Sequence, residues 1–304
     1  MRRDVSGSDA ITIMHGRLDV SEAMSRRWTS PLVGPEEVAA RSGDADLRIA
    51  DVRWYLGDAR RGRAEYAAGH IGGAVFVDLD RDLAAATGPG RHPLPDPTAF
   101  ADRMGELGFG DQHSIVAYDT ASGMIAARLW WMLDRLGHRD VAVLDGGLAA
   151  WMESGGTVTP ILPTHLRATL TLGTEWPGTI DRETIVDRGS AIDLLDLRAA
   201  ERYRGDVEPV DRVPGHIPGA RNLPATSLLD DRGRLLPPDR IQVHLRAHGG
   251  SAGSPTVMSC GSGVTACFGV LAARLAGMTE PLLYPGSYSD WSGAGMPIAT
   301  GDGR

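Results

Sequence analysis

Residues 256–277 read TVMSCGSGVTACFGVLAARLAG and contain, in order, a short apolar run, a glycine-rich turn and a helical pattern. The run at 256–259 is typical of a buried strand, and the small and apolar residues from Val264 to Leu275 are typical of a helix. Cys260 stands between them, at the first position of the turn. This stretch therefore predicts a strand, a tight turn and a helix, with a cysteine at the carboxyl end of the strand.

The same arrangement occurs earlier in the chain. Residues 114–137 read SIVAYDTASGMIAARLWWMLDRLG, with Asp119 at the position of Cys260. Two further pairs of stretches match in the same order, namely 49–80 with 194–231, both containing Gly-His-Ile, and LDGGLAAW at 144–151 with YPGSYSDW at 284–291. Such an ordered series indicates a tandem duplication of one unit of about 140 residues.

Each unit alternates short apolar runs with helical patterns, which is typical of a parallel sheet covered by helices on both faces. We therefore predict an α/β fold with two tandem domains of this kind. The stretch between the units holds glycine, proline and threonine with little helical period, so it is the predicted linker. The predicted divisions are an N-terminal tail at 1–20, a first domain at 21–155, a linker at 156–178 and a second domain at 179–304.

The composition narrows the class of protein. The 304 residues carry a net charge of −8 and no dense basic tract, which disfavours nucleic-acid binding. No apolar segment approaches the roughly 20 residues of a membrane helix, and the N-terminus lacks the apolar core of a secretory signal. The two cysteines, Cys260 and Cys267, show no metal-ligand spacing and form no disulfide framework. We expect a cytoplasmic, monomeric protein without a bound metal.

The turn after Cys260 has the properties of an anion-binding site. Gly261 and Gly263 allow backbone conformations that other residues avoid, so consecutive amides can point inward. The following helix adds the positive end of its dipole. These features favour a thiolate, the nucleophilic form of cysteine. Cys267 lies two turns further along the helix among apolar residues, and we predict that it is a small buried core residue.

Of three kinds of cysteine chemistry, the sequence disfavours phosphoryl transfer, shows no signature of a cysteine hydrolase and favours a persulfide. A phosphatase would need an arginine in the loop to clamp the phosphate, whereas the first basic residue here is Arg274. A cysteine hydrolase would need a histidine base from a distant part of the chain. A ring of amides without a fixed cation suits a persulfide, whose negative charge lies on a large sulfur atom.

These motifs resemble the tandem-domain rhodanese sulfurtransferases, which comprise thiosulfate and 3-mercaptopyruvate sulfurtransferases. The resemblance spans about residues 21–298 and rests on DVRWYL, GHIGGAVFVDLD, LWWMLDRLGH, LDGGLAAW, GHIPGA and CGSGVT, in that order. It implies a non-catalytic first domain, a catalytic second domain and an active site at their interface. It also implies that Cys260 takes up sulfur as a persulfide and passes it to cyanide, a thiol or a thioredoxin-like protein. No cofactor is implied, and the predicted cradle consists of Gly261, Ser262, Gly263, Val264 and Thr265.

The resemblance gives two indications about the sulfur donor. The uncharged loop is similar to that of the mercaptopyruvate enzymes, in which a serine, here Ser262, lies near the carbonyl of the donor. Arg202 matches the first of two arginines that bind the donor carboxylate in those enzymes. The second is replaced by Val210, and Arg212 is a possible substitute. A thiosulfate donor therefore stays open, as does a role in carrying persulfide to a protein partner.

The resemblance also implies a Ser–His–Asp relay. Ser262 matches the serine, His70 in the first Gly-His-Ile matches the histidine, and Asp58 is the nearest candidate for the acid. However, His70 has a twin, His216, in the second unit. Features common to both units favour a scaffold role, in which each histidine fixes a turn by hydrogen bonds. Both interpretations of His70 remain open.

Overall fold

The computed structural model describes residues 27–249 and 253–303. The predicted tail, residues 1–20, lies outside the described residues. The described chain forms two parallel sheets flanked by helices, one in each half, which confirms the predicted α/β fold. No helix in the described ranges is long and apolar enough to cross a membrane.

The first half contains a five-stranded parallel sheet in the order β1-β6-β5-β2-β4. Its strands are β1 (Leu32–Val33), β2 (Leu47–Asp51), β4 (Ala74–Phe76), β5 (Ser114–Tyr118) and β6 (Val141–Leu144). Its helices are α1 (Pro35–Ala40), α2 (Arg61–Ala68), α3 (Leu79–Asp82), α4 (Pro97–Glu106), α5 (Ala126–Arg135) and α6 (Gly147–Glu153).

The second half contains a four-stranded parallel sheet in the order β11-β10-β8-β9. Its strands are β8 (Asp193–Asp196), β9 (Arg221–Asn222), β10 (Thr256–Ser259) and β11 (Leu282–Leu283). Its helices are α7 (Arg182–Arg188), α8 (Ala200–Arg204), α9 (Pro238–His248), α10 (Val264–Leu275) and α11 (Ser287–Gly293), with 3₁₀ turns at Gly189–Ala191 and Ala225–Leu228. The predicted strand at 256–259 and helix at 264–275 have these bounds in the structure.

The segment predicted as a linker, 156–178, is tied to the first half. Strand β7 (Val158–Thr159) within it pairs antiparallel with β3 (His70–Ile71). Further along, the indole of Trp176 stacks on Trp131 with ring centroids 5.7 Å apart. The sequence pattern missed this strand because two residues are too few to produce a period.

A buried ion pair lies at the end of strand β2 in the first half and of strand β8 in the second. In the first half, Arg53 Nη2 donates to Asp51 Oδ2 at 2.6 Å and to the carbonyl of the Gly-His-Ile glycine at 2.7 Å. In the second half, Arg198 makes the same two bonds to Asp196 and to Gly215, again at 2.6 and 2.7 Å. These pairs explain the repeated Asp-Val-Arg and Asp-Leu-Arg triplets, since each ties the strand end to the next turn.

Of the three buried hydrophobic clusters among the described residues, one is formed by both halves. Helix α5 of the first half packs on helix α10 of the second, and residues of both belong to a single buried cluster. Arg274 on α10 donates to both carboxylate oxygens of Asp134 on α5, at 2.7 and 2.8 Å. Packing between the repeats therefore positions the turn before α10 relative to the first half.

We expect Phe268→Ala, which removes a fully buried ring from this shared core, to lower the free energy of unfolding by about 3–5 kcal/mol. Because the core spans both halves, unfolding in denaturant should remain a single transition, followed by tryptophan fluorescence. The control, Val243→Ala, alters a residue that is 63% exposed and should change stability by about 0.5 kcal/mol or less. Two separate transitions, with only one shifted by Phe268→Ala, would contradict the shared core.

Candidate active site

Cys260 follows β10 directly and is held by the start of α11. Its amide donates to Ser287 Oγ at 3.1 Å, and its carbonyl accepts from the amide of Tyr288 at 3.1 Å. The carbonyl of Gly261 accepts from the amide of Ser289 at 2.9 Å. The side chain of Cys260 is buried but lines a cavity. The backbone of the turn is therefore fixed by a neighbouring helix, and Cys260 forms part of the cavity wall.

The turn itself requires glycine at Gly263. This residue has φ of +76°, and a Cβ there would lie 2.2 Å from the carbonyl oxygen of Pro285. In the described part of the chain, the amides of Gly261, Ser262 and Gly263 have no hydrogen-bond acceptor. Val264 and Thr265 begin helix α10, where amides have no partner within the helix. The amides of residues 261–265 are therefore hydrogen-bond donors available to an anion next to Cys260.

The first half shows what such a turn binds. Asp119 is completely buried, and its carboxylate accepts from four amides of its own turn. These amides lie at 2.7–2.8 Å and belong to Ala121, Gly123, Ile125 and Ala126. Burial raises the pKa of Asp119, and the four amides oppose that rise. The repeated turn is thus an anion site, occupied by a carboxylate in one half and following a cysteine in the other.

A Ser–His–Asp chain crosses from one half to the other beside the cysteine. His92 Nδ1 lies 2.7 Å from Ser262 Oγ, and His92 Nε2 lies 3.0 Å from Asp80 Oδ1. The hydrogen bond to His92 lowers the pKa of Asp80, against the effect of burial, and a bond from Trp54 Nε1 adds to the lowering. Because Asp80 is an acceptor, His92 Nε2 must donate, which leaves Nδ1 to accept from the serine hydroxyl.

The predicted relay through His70 and Asp58 is wrong. His70 Nδ1 contacts the carbonyl of Tyr66 at 2.9 Å, and Nε2 contacts a linker carbonyl at 3.1 Å. His216 repeats this arrangement on Tyr203, so both histidines fix turns, as the scaffold interpretation expected. Asp58 accepts from two nearby amides at the start of α2.

The sequence contains features that could have identified the two relay residues seen in the structure. His92, in GRHPLP, has no counterpart in the second repeat, and Asp80 ends the motif GHIGGAVFVDLD. The rule that unpaired features of a duplication are candidates for chemistry would have selected His92 over His70.

Arg202 lies at the mouth of the cavity, 16% exposed, and is held by carboxylates. Its Nη2 donates to Glu208 at 2.7 Å and to Asp211 at 3.3 Å. Burial alone would raise the pKa of Glu208, but bonds from Arg202 and from two amides outweigh it and lower that pKa. Arg212 is exposed and does not line the cavity, so the structure contradicts its predicted role as the second arginine.

The cavity that contains Cys260 has a volume of about 290 Å³ and is formed by both halves. The first half contributes Trp54, Leu56, Arg91, Met124 and Ile125. The second half contributes Cys260 and its loop together with Leu197, Arg198, Ala199, Arg202 and residues 224–226. Its size suits a small molecule of a few carbon atoms. Cavities of about 580 and 590 Å³ elsewhere contain no cysteine.

Two buried groups lie behind the loop. Cys267 is fully buried, its Sγ lies 3.3 Å from the carbonyl of Gly263, and burial raises its pKa to about 12. Arg128, also fully buried, donates to the carbonyls of His92 at 3.0 Å and of Gly263 at 3.4 Å. Arg128 therefore connects the loop of the relay histidine to the loop of the cysteine. In the described ranges, no cluster of His, Cys, Asp or Glu is suited to a metal ion.

The chain is similar to known sulfurtransferases in sequence and in fold. The Rhodanese-like domain family matches residues 34–154 and 182–294. A Pseudomonas aeruginosa protein named as a probable 3-mercaptopyruvate sulfurtransferase is 41% identical over 290 residues, which cover 90% of this chain and 99% of that protein. A Mycobacterium tuberculosis protein named for thiosulfate sulfurtransferase activity is 40% identical over 257 residues, covering 83% and 89%. The crystal structure of a 3-mercaptopyruvate sulfotransferase from Escherichia coli superposes with a TM-score of 0.77 and 32% identity, covering 86% of this chain and all of that one.

The different surroundings of the two cysteines predict different reactivity. At pH 8 we expect iodoacetamide to label the native protein once, at Cys260, and the Cys260→Ser variant not at all. Cys267 should stay unlabelled until the protein is unfolded, because a pKa of about 12 leaves about one thiolate in ten thousand. Mass spectrometry of the intact protein measures the outcome, with Cys267→Ser as the control that keeps full labelling. Labelling of native Cys260→Ser would contradict this assignment.

Proposed function

The chain belongs to the rhodanese family of sulfurtransferases, and we propose that it moves sulfur from 3-mercaptopyruvate to cyanide or a thiol through a persulfide on Cys260. One observation carries the proposal: Cys260 and the serine of a Ser–His–Asp chain line one small cavity, and the amides of Gly261, Ser262 and Gly263 have no acceptor among the described residues. The amides of residues 261–265 would hold the persulfide anion, as the amides around Asp119 hold its carboxylate.

In the first half-reaction, residues of the site account for the transfer of the proton and of the electron pair. The Cys260 thiolate attacks the donor sulfur, an S–S bond forms, and the C–S bond breaks with its electron pair on the methylene carbon. The thiol proton of the donor passes through Ser262 to His92 and from there to that carbon, which gives pyruvate and the Cys260 persulfide anion. Asp80 stabilises the protonated imidazole in between. Arg202 would bind the donor carboxylate.

The second half-reaction restores the enzyme. A nucleophilic acceptor attacks the outer sulfur of the persulfide, and the S–S bond breaks with its electron pair on Cys260. Cyanide leaves as thiocyanate, and a thiolate leaves as a persulfide. Small thiols and the exposed thiol of a thioredoxin-like protein both fit this chemistry. The proposed location is the cytoplasm, where thiols that must cycle between reduced and persulfide forms stay reduced.

The charges at the cavity mouth favour a donor with one negative charge. Three guanidinium groups and three carboxylates form a connected ion-pair cluster, namely Arg91, Arg198 and Arg202 with Asp196, Glu208 and Asp211. This cluster has no net positive charge with which to bind a dianion. Thiosulfate is a dianion, whereas 3-mercaptopyruvate carries one carboxylate and a ketone that Ser262 can polarise. Thiosulfate remains the second candidate, because each guanidinium group of the cluster can itself bind an anion.

We expect kcat/KM for 3-mercaptopyruvate to exceed that for thiosulfate by at least about tenfold, with cyanide as the common acceptor. A tenfold ratio corresponds to about 1.4 kcal/mol of transition-state preference. Cys260→Ser should abolish both activities. A ratio reversed in favour of thiosulfate would overturn the donor, and persulfide loading without turnover on small acceptors would favour a carrier for a protein partner.

Substitution of His92 and of His70, one at a time, distinguishes a role in the relay from a role in the scaffold. We expect His92→Asn to lower kcat for 3-mercaptopyruvate about a hundredfold or more, because the proton path from Ser262 is lost. His70→Asn should lower the melting temperature while kcat changes only a few-fold, since both ring nitrogens of His70 contact backbone carbonyls and its ring stacks on Tyr66. Steady-state kinetics and thermal unfolding of both variants measure the two effects. A large loss of kcat in His70→Asn with unchanged kcat in His92→Asn would exclude this relay.

A further inference from the structure

Arg128 on α5 is a cation buried between the two halves without a carboxylate partner. Its side chain is fully buried, and its nitrogens donate to the carbonyls of His92 at 3.0 Å, Leu83 at 3.3 Å and Gly263 at 3.4 Å. Its Nε has no hydrogen-bond partner among residues 27–249 and 253–303, and no carboxylate in those ranges forms an ion pair with it. Because a guanidinium keeps its proton in proteins, the interior holds a permanent positive charge here.

A charge in this position needs an anion nearby. Moving a guanidinium out of water costs several kcal/mol unless an opposite charge and hydrogen bonds offset the loss. Burial lowers the pKa of Arg128, and the side chains of Cys267 and Cys260 oppose that lowering. Cys267 is neutral near pH 7, since burial raises its pKa to about 12. The anion that can balance Arg128 is therefore the one that forms at Cys260, in the catalytic cavity.

The duplication provides a comparison for this charge. Arg128 lies five residues after Gly123, the glycine that ends the turn in the first half. Its counterpart on α10 is Phe268, which lies five residues after Gly263. Each side chain crosses to the turn of the other half. Arg128 donates to the carbonyl of Gly263, and a Cβ at Gly123 would lie 3.8 Å from Phe268 Cε2.

The two turns differ in the charge of the side chain that reaches them. The first turn contains a permanent anion, the Asp119 carboxylate, and is reached by the neutral ring of Phe268. The second turn contains a thiol and is reached by a cation. The second turn has no cation of its own, because the first basic residue after Cys260 is Arg274. An apolar residue fits the corresponding position, so packing between the halves does not explain a charge at Arg128.

We propose that Arg128 supplies the fixed positive charge that stabilises the anion at Cys260, first as the thiolate and then as the persulfide. The amides after Cys260 contribute hydrogen bonds, and Arg128 contributes a full charge in an interior where Coulomb interactions are stronger than in water. Arg128 does not line the cavity, so it acts through Cys260 and is a positioning residue. This inference rests on the proposed function in taking Cys260 as the nucleophile.

The other charged groups at the cavity are paired with one another. They are the ion-pair cluster at the cavity mouth and the histidine and aspartate of the relay, namely Arg91, Arg198, Arg202, Asp196, Glu208, Asp211, His92 and Asp80. These groups affect the pH dependence of Cys260 in the native protein and in a variant of Arg128 alike. A difference between the two pH profiles therefore reports the contribution of Arg128.

The main rival explanation is that Arg128 only donates hydrogen bonds that join three loops. The two roles predict different pH profiles for alkylation of Cys260 by iodoacetamide, which reacts with the thiolate and needs no sulfur donor. Loss of a charge moves the pH at which the labelling rate is half-maximal. Loss of hydrogen bonds alone changes the stability, or changes the rate at every pH.

The experiment measures the labelling rate at Cys260 in the full chain between about pH 5 and about pH 10. We expect Arg128→Gln, which keeps N–H donors and removes the charge, to raise the half-maximal pH by about one unit. The rate at high pH should be unchanged or up to about threefold higher, because a less stabilised thiolate is the stronger nucleophile. Arg128→Lys, which keeps the charge, should keep the half-maximal pH of the native protein. Arg139→Gln removes an exposed guanidinium paired with Asp134, and as the matched control it should change neither quantity.

The possible outcomes separate this inference from the proposed function. A half-maximal pH that stays at the native value in Arg128→Gln would overturn the inference and leave the proposed function intact. Equal shifts in Arg128→Gln and Arg128→Lys would assign the effect to lost hydrogen bonds and overturn the inference as well. A native protein that is alkylated at Cys260 but transfers no sulfur would overturn the proposed function alone.

The variant Arg128→Lys keeps the test decisive if Arg128→Gln does not fold. Lysine cannot reach three carbonyls with the planar fork of arginine, so a lowered melting temperature is expected. The native half-maximal pH together with this lower melting temperature supports a role for the charge. A half-maximal pH shifted by a full unit in Arg128→Lys would exclude it.

Discussion

The structure depends on one constraint: a tight turn from a parallel strand into a helix directs several backbone amides at a single point, and that point needs an anion. In the first half the chain supplies the anion itself, as the carboxylate of Asp119 with four amides around it. In the second half the same position carries Cys260, and the amides after it have no acceptor in the described part of the chain. A structural turn thus becomes a reactive one by exchange of a permanent carboxylate for a sulfur that becomes charged during the reaction.

The other groups of the candidate site come from the half that has Asp119 at the position of the cysteine. His92, Asp80 and Arg91 all belong to the first repeat, and Arg128 on α5 connects the carbonyl of His92 to that of Gly263. The contact between α5 and α10 fixes the positions of these groups relative to the cysteine, since both helices belong to one buried cluster. The precision of the site is therefore a property of the packing between the repeats, and a loss of packing would move the relay away from the sulfur.

The sequence predicted those features that depend on short contiguous stretches and that occur in both repeats. The alternation of apolar runs and helical patterns was sufficient for both sheets, and the glycine turn after Cys260 was sufficient for the nucleophile. The relay was predicted with the wrong histidine, because His92 and Ser262 lie 170 residues apart and no local pattern connects them. Arg91, which lines the cavity, was missed for the same reason, since it reaches the cavity through the packing of the two halves. Arg212 is near Arg202 in sequence, yet the turn after Asp211 leaves it in solvent.

The division of labour between the repeats has an evolutionary consequence. One copy has Asp119 where the other has Cys260, and the second copy has no histidine that corresponds to His92, so each copy lacks a group that the other supplies. Both copies contribute to the candidate site, and substitutions on α5 and α10 should have non-additive effects on stability because the two helices are in contact. The two repeats are therefore no longer redundant: each supplies groups that the candidate site needs, so changes in one repeat constrain changes in the other.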